Sequence, residues 1–291
     1  MRIVVAGASG FLGQPLIARL RAGGHQVTQL VRREPAAEGQ LRWDPARPIR
    51  LPEGTEAVLN LCGAGVGDHR WTKSYRELLR SSRIMPTTTL AEAVREQGVG
   101  MLVNASGVGG YGDRGDDEIT EQTPIVTGNF IGDMCWDWEA AAQLARPARV
   151  VVLRTGLPLH RSGGLLKPLV LAFKLGAGGT FGNGRQWLPW VSREDWLRAA
   201  VFALTEDVLD GPVNVAGPNP ATNAEFTKAL GSLLHRPTIM PIPRFGVRLL
   251  VGEFANEAFK SAREVPEALL RAGFEFRYPT VRDALEVALR S

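Results

Sequence analysis

Hydrophobic positions in the first half of the chain fall into short unbroken runs separated by longer mixed stretches. Arg2–Ala6, Gln26–Val31, Ala57–Leu61, Met101–Ala105 and Arg149–Arg154 have the length and composition of strands. Between them, Phe11–Ala22, Thr72–Glu96 and Asn129–Ala145 space their apolar residues as amphipathic helices do. Strands alternating with helices predict a parallel sheet covered on both faces. The run Val150-Val151-Val152-Leu153 fits a strand buried on both sides. The predicted fold class is therefore α/β: a Rossmann-like, doubly wound parallel sheet with a smaller, irregular C-terminal lobe.

The pattern changes after about residue 160. Glycine-rich loops appear at Ser162-Gly163-Gly164 and from Gly176 to Gly184, and prolines recur at 237, 241, 243, 266 and 279. Short helices are expected at Asn223–Leu234, opened by the capping signal Thr222-Asn223-Ala224-Glu225, and at Pro279–Arg290. We divide the chain into an α/β domain over residues 1–220 and a helical extension over 221–291 that contributes to a substrate lobe.

Gly7-Ala8-Ser9-Gly10-Phe11-Leu12-Gly13 lies directly after the first strand and directly before the first helix. In that context Gly7 permits the tight turn, Gly10 lets backbone approach a pyrophosphate, and Gly13 lets helix and sheet pack closely. The helix N-terminus offers N–H groups and a positive dipole end to phosphates. The end of the second strand selects the dinucleotide. It reads Val31-Arg32-Arg33, with no acid for a ribose 2′-hydroxyl, and a guanidinium suits a 2′-phosphate. NADP(H) is expected over NAD(H).

Composition narrows the class further. With 44% hydrophobic and 22% charged residues over 291 positions, the chain has ample material for a folded core. The formal charge of +4 is scattered rather than gathered into a basic stripe, so no nucleic-acid partner is expected. No apolar run approaches the ~18 residues of a membrane span, and the first residues carry no secretory layout. A cytoplasmic protein with no membrane partner is expected. Cys62 and Cys135 cannot make a disulfide framework, and His25, His69, His160 and His235 show no ligand spacing, so no metal is expected.

Several segments, taken together, resemble extended short-chain dehydrogenase/reductases, and more narrowly their atypical epimerase-family (YfcH-like) branch. They include the glycine motif, Asn60-Leu61-Cys62-Gly63-Ala64-Gly65, Ser82-Arg83, Gly110-Tyr111-Gly112, Trp138-Glu139 and Leu153-Arg154-Thr155-Gly156. Phe181-Gly182-Asn183-Gly184-Arg185-Gln186, Pro189-Trp190-Val191 and Ala272-Gly273-Phe274 extend the likeness over nearly the whole chain. The resemblance implies NADP(H) at Gly7, Ser9, Gly10, Phe11, Leu12, Gly13, Val31, Arg32, Leu61 and Cys62. It also implies that Arg83 reaches the cofactor phosphates or ribose.

The same resemblance exposes a departure. Such reductases use a tyrosine whose proton affinity is lowered by a lysine four residues later, which also holds the nicotinamide ribose. No Tyr-x-x-x-Lys exists here; aligned on Trp138-Glu139, Ile131 takes the tyrosine position and Cys135 the lysine position. The remaining catalytic candidates are Ser106 as a carbonyl-polarising hydroxyl, Tyr111 as a proton donor and Cys135 as a thiol acid/base. Arg185 is a candidate anion clamp, and Trp187 or Trp190 a stacking surface. The expected function is an NADP(H)-dependent oxidoreductase or epimerase-like enzyme on an unidentified small molecule, as a monomer or homodimer. The alternative is an NADP(H)-sensing regulatory or scaffold protein of a branch connected by name to cell division.

Overall fold

The first strand, β1 (Arg2–Ala6), is apolar on both sides and enters the turn that carries the glycines. The computed structural model describes residues 1–238, 241–242 and 255–290. After β1 come α1 (Gly13–Ala22), β2 (Gln26–Val31), β3 (Gln40–Arg42), β4 (Ala57–Asn60), α2 (Lys73–Glu96) and β5 (Met101–Gly107). They are followed by β6 (Glu118–Ile119), α3 (Phe130–Gln143), β7 (Arg149–Thr155), β8 (Leu157–Leu159) and α4 (Leu166–Lys174). Then come β9 (Trp187–Leu188), β10 (Trp190–Ser192), α5 (Arg193–Thr205), β11 (Gly211–Val215), β12 (Ala221–Thr222), α6 (Asn223–Leu234) and β13 (Arg263–Glu264). Short helices at Glu267–Arg271 and Val281–Arg290 complete the described chain.

Seven strands form one sheet in the order β11-β7-β5-β4-β1-β2-β3. Every pair in it is parallel. Side chains alternate between faces along each strand, so both faces must be covered for a continuous apolar run to be buried. Ile3, Val5, Leu59, Val103, Val151 and Leu153 join Leu16 and Leu20 of α1 and Trp196 and Ala200 of α5 in one core. Val4, Ala6, Val58, Leu102, Val150 and Val152 join Leu90 and Val94 of α2 and Ala142 of α3 in the other. A third core, around Leu166, Phe173, Trp190, Phe226 and Leu285, belongs to the lobe built after β8.

The strand order reverses between β1 and β4, which opens a crevice at the carboxyl ends of these strands. The expected strands and helices of the first half are present. β3 and β11 were not anticipated, and the region read as glycine-rich loops also holds α4 and α5. Among the described residues, no helix is long and apolar enough to cross a membrane.

Candidate functional site

The glycine turn is shaped by two different demands. Gly7 has φ +75°, and a Cβ there would lie 2.4 Å from the Leu61 carbonyl carbon. A Cβ on Gly13 would lie 2.7 Å from the carbonyl oxygens of Gly7 and Ala8. Both glycines are required by the chain itself. Gly10 is different: a Cβ there would meet only the Gly7 carbonyl oxygen, at 3.5 Å, an ordinary contact. Ser9 and Gly10 are exposed, and α1 begins with no side-chain cap and no acidic residue in its first turn. The result is an open cradle facing a positive helix end, suited to a phosphate.

The cradle is braced from behind. Phe11 packs under Gly163, whose Cβ would lie 2.5 Å from the ring. The Arg193 guanidinium lies 5.5 Å from the ring centroid. Arg193 also reaches Nε2 of His160 at 2.7 Å. Phe11 therefore fixes the turn against the 160–164 loop.

Leu61 and Cys62 line the crevice beside Gly7, with the Leu61 N–H bonded to Ala6 O at 3.0 Å. Burial pushes the Cys62 thiol up to about 12, against the opposing charge of Arg32. Arg32 is exposed just past the end of β2, the strand beside β1, near enough for its charge to act on Cys62. Neither Arg32 nor Arg33 forms an ion pair among the described residues.

Arg83 projects from α2 and is only 7% exposed. It donates to Leu79 O (2.9 Å) and Ala64 O (2.8 Å), the latter in the loop after β4. Its Nε–H has no partner. The guanidinium lies 5.1 Å from the Trp138 ring, whose indole N–H donates to Thr87 at 2.9 Å. A Cβ on Gly63 would fall 3.1 Å from its Cζ.

Strand register builds the rest of the site. Ser106 sits beside Arg154, and Arg154 beside Asn214, across β5, β7 and β11. Asn129 caps α3 and sets its rotation, so that Cys135 and Glu139, one turn apart, share a face. Glu139 accepts the Ser106 hydroxyl at 2.7 Å. It also accepts Nε and Nη2 of Arg154 at 2.9 and 2.8 Å. Burial pulls the Arg154 pKa down, but the bond and charge of Glu139 outweigh it and hold the side chain firmly ionised. Arg154 Nη1 then donates to the Tyr111 hydroxyl at 2.8 Å, which itself donates to Asn214 Oδ1 at 2.6 Å.

This arrangement sorts the catalytic candidates. Tyr111 is 1% exposed, its hydroxyl is committed on both sides, and burial pushes its pKa up. A phenol held this way does not reach a substrate oxygen. Cys135 is 2% exposed, and burial, then the charge of Glu139, push its thiol up to about 12. It is a neutral thiol at pH 7, directed at Gly107 O. Ser106 is also buried, 4% exposed, near the carboxyl end of β5, with its own proton directed at a carboxylate. Arg185 is exposed. Trp190 is 1% exposed and forms core. Trp187 is pinned by Asp116, at 2.8 Å, and lies 5.2 Å from the Arg263 guanidinium. Asp113, Asp116, Asp117 and Glu118 form an exposed acidic loop, in which Asp113 accepts the Ser261 N–H at 3.1 Å.

Glu139, Arg154, Glu121 and Glu264 were missed as site residues. Arg154 was signalled by a charge ending an apolar run, and Glu139 by an acid on a largely apolar helix. Glu121 accepts the backbone N–H groups of Asn214 (2.9 Å) and Ala268 (3.1 Å). Glu264 is fully buried and neither carboxyl oxygen has a partner. Among the described residues, no group of three or more His, Cys, Asp or Glu is placed to hold a metal ion.

Fold and crevice together define a Rossmann-like α/β protein with a glycine cradle at its topological switch point. The profile of the NAD dependent epimerase/dehydratase family matches residues 3–216, and that of a domain of unknown function (DUF1731) matches residues 242–288. The chain belongs to the NAD dependent epimerase/dehydratase family. An epimerase family protein of Mycobacterium tuberculosis is 43% identical over 98% of this chain and 97% of its own length. The crystal structure of human epimerase family protein SDR39U1 (isoform 2) with NADPH superimposes with a TM-score of 0.94 at 31% identity, covering 100% of both chains. A nucleoside-diphosphate sugar epimerase from Corynebacterium glutamicum matches with a TM-score of 0.82 at 34% identity, covering 99% of this chain and 58% of that one.

Proposed function

We infer that this protein binds NADP(H) in the crevice between β1 and β4 and carries out hydride chemistry on a small molecule held under the C-terminal lobe. The observation that carries the reading is the open cradle at Gly10, in front of an uncapped helix, with unpaired Arg32 at the same mouth. The human relative crystallised with NADPH supports it. Gly10, Ser9 and the first turn of α1 receive the diphosphate, Arg32 the 2′-phosphate, and Leu61 and Cys62 the adjoining ribose. Residues 1–220 supply these groups, and 221–291 contribute to the wall of the substrate side.

When bound, the cofactor supplies or takes a hydride at nicotinamide C4. Ser106 then works without the tyrosine–lysine pair. Its hydroxyl proton points at Glu139, so its oxygen lone pairs are the groups left for a substrate O–H. Arg154 keeps Glu139 ionised and fixed.

NADPH is expected to bind at least tenfold more tightly than NADH, and Arg32→Ala to erase most of that ratio, measured by nicotinamide fluorescence titration. Equal affinities in the parent protein would remove the assignment of Arg32. Gly10→Ala is expected to melt within a few degrees of the parent, because its Cβ meets no obstacle, yet to bind NADPH about tenfold more weakly. Unchanged affinity would place the diphosphate elsewhere.

A second reading has its own support. The buried Tyr111 and neutral Cys135 leave no conventional proton donor, which suits an NADP(H)-sensing protein. Oxidation of bound NADPH in a panel of carbonyl compounds separates the two, and loss of that turnover in Ser106→Ala assigns it to this site.

A further inference from the structure

Ile131 and Cys135, one turn apart on α3, occupy the positions where the family resemblance expects a tyrosine and a lysine. Both pack on the turn that follows β5. Cys135 directs its thiol at Gly107 O, and its Cβ lies 3.0 Å from the place a Cβ on Gly110 would take. Ile131 Cγ2 lies 2.8 Å from the corresponding place on Gly109. That same point has a neighbour from the far end of the chain, Oε2 of Glu257, at 4.0 Å. A carboxylate therefore stands beside Ile131, over a glycine two residues past the carboxyl end of β5.

Glu257 is held there by its surroundings. It lies in the one-turn helix Ala255–Ala258. Its Oε1 takes the Lys260 ammonium at 2.7 Å, and the two side chains are 20% and 26% exposed, sheltered yet open to a ligand. Phe259 lies 6.0 Å from the Phe181 ring. The Trp187 N–H donates to Ser261 Oγ at 3.1 Å, and the Ala262 N–H donates to Trp187 O at 3.1 Å. With Ser261 also tied to Asp113, residues 259–262 are fixed both to the loop after β5 and to β9. The other candidates for proton transfer are already committed: Glu139 to Ser106 and Arg154, Tyr111 to Arg154 and Asn214. Oε2 of Glu257 has no hydrogen-bond partner among the described residues.

We propose that Glu257 is the acid/base of this site, delivered by the C-terminal segment in place of the tyrosine that Ile131 replaces, with Lys260 as the residue that positions its carboxylate. The proposal rests on the NADP(H) reading above and names the group that moves the proton in it. With the diphosphate at Gly10 and the 2′-phosphate at Arg32, the nicotinamide half of a dinucleotide falls on the β4–β5 side of the crevice, the side Glu257 faces. In the oxidising direction the substrate O–H bond breaks and its proton passes to Glu257 Oε2. The adjoining C–H bond gives its hydride to the oxidised nicotinamide, and a C=O bond forms. In the reducing direction the protonated carboxyl returns that proton to the carbonyl oxygen as hydride reaches carbon. The substrate class is a small alcohol and its carbonyl counterpart.

Glu257→Gln keeps the shape of the side chain and cannot take the proton. Because a partly exposed ion pair contributes little to folding, it is expected to melt within about two degrees of the parent. It is expected to bind NADPH within twofold of the parent, yet to oxidise bound NADPH with a panel of carbonyl compounds about a hundredfold more slowly. Glu257→Asp is expected to recover part of that rate, and Lys260→Gln to lose less than Glu257→Gln. Independently of turnover, the carboxyl ¹³C resonance of Glu257 in the parent protein, assigned by its loss in Glu257→Gln, is expected to shift with NADP⁺. It is expected to stay in place with adenosine 2′,5′-bisphosphate, which occupies only the Arg32 end. Turnover in Glu257→Gln within threefold of the parent, or a resonance indifferent to NADP⁺, would overturn the proposal. A parent protein that binds NADPH but reduces no member of the panel overturns it as well and leaves the cofactor reading standing. If the parent protein binds neither ligand, the NADP(H) reading itself fails.

Discussion

Replacing Arg154 with methionine is expected to cost about 3–5 kcal/mol of folding free energy, the range for removing one partner of a buried ion pair. Methionine preserves the packed stem and deletes only the charge. Two hydrogen bonds to Glu139, one to the Tyr111 hydroxyl and one to Glu121 O disappear together. The loss also removes the cation that faces Glu264 and opposes its charge. For a chain of this size the melting temperature should fall by roughly 10 °C. A matched Glu139→Gln change should return part of the loss, because the carboxylate no longer needs a counter-charge. A urea titration in which Arg154→Met loses less than 1 kcal/mol, or in which the double variant is strictly additive, would show that the pair contributes little.

The second large effect depends on pH. Burial first, and then the charge of Glu121, push the Glu264 pKa well above the ordinary carboxyl value, against the opposing pull of Arg154. Its carboxyl oxygens have no hydrogen-bond partner. The folded protein therefore keeps a proton that the unfolded chain releases above about pH 4.5. This contribution is fully present below that pH and is lost as pH rises toward the folded-state value, at up to about 1.4 kcal/mol per pH unit. Glutamine at position 264 has no proton to lose. Glu264→Gln should gain steadily on the parent as pH rises from 5.5 to 7.5. Parallel stability curves for the two proteins would mean that Glu264 ionises freely in the fold.

The parts of the fold that were legible in the chain share one physical reason. Strands buried on both faces need continuous apolar runs, and β1, β4, β5 and β7 announce themselves by theirs. β3, with the sequence Gln-Leu-Arg, lies at the sheet edge and is half open to water, so its composition is that of a loop. β11 contains Pro212 and the buried polar Asn214, and only its pairing with β7 makes it a strand. The glycine cradle was legible because it is local, with its function written in spacing and flanking pattern. The row Ser106–Arg154–Asn214 is not local. It exists because three strands far apart in sequence are in register, and no window along the chain contains it. Tyr111 illustrates the same limit, since its residue type and loop position suggest an available phenol, whereas its partner Asn214 arrives from 103 residues away.

The matched profiles break near residue 216 and resume at 242, as though two modules were joined. The packing has no such seam. Leu269 and Phe274 lie in the same core as Ile3, Leu16 and Val151. Val265 O takes the Asn214 side-chain amide, and β13 pairs with β6. The last quarter of the chain thus closes the floor of the cofactor half as well as forming a lobe above it. Such a protein cannot be recombined at that junction: grafting another tail onto the first 216 residues would leave an open wound in the sheet's own core. Any change in this tail must therefore keep residues 261–276 compatible with the sheet beneath them.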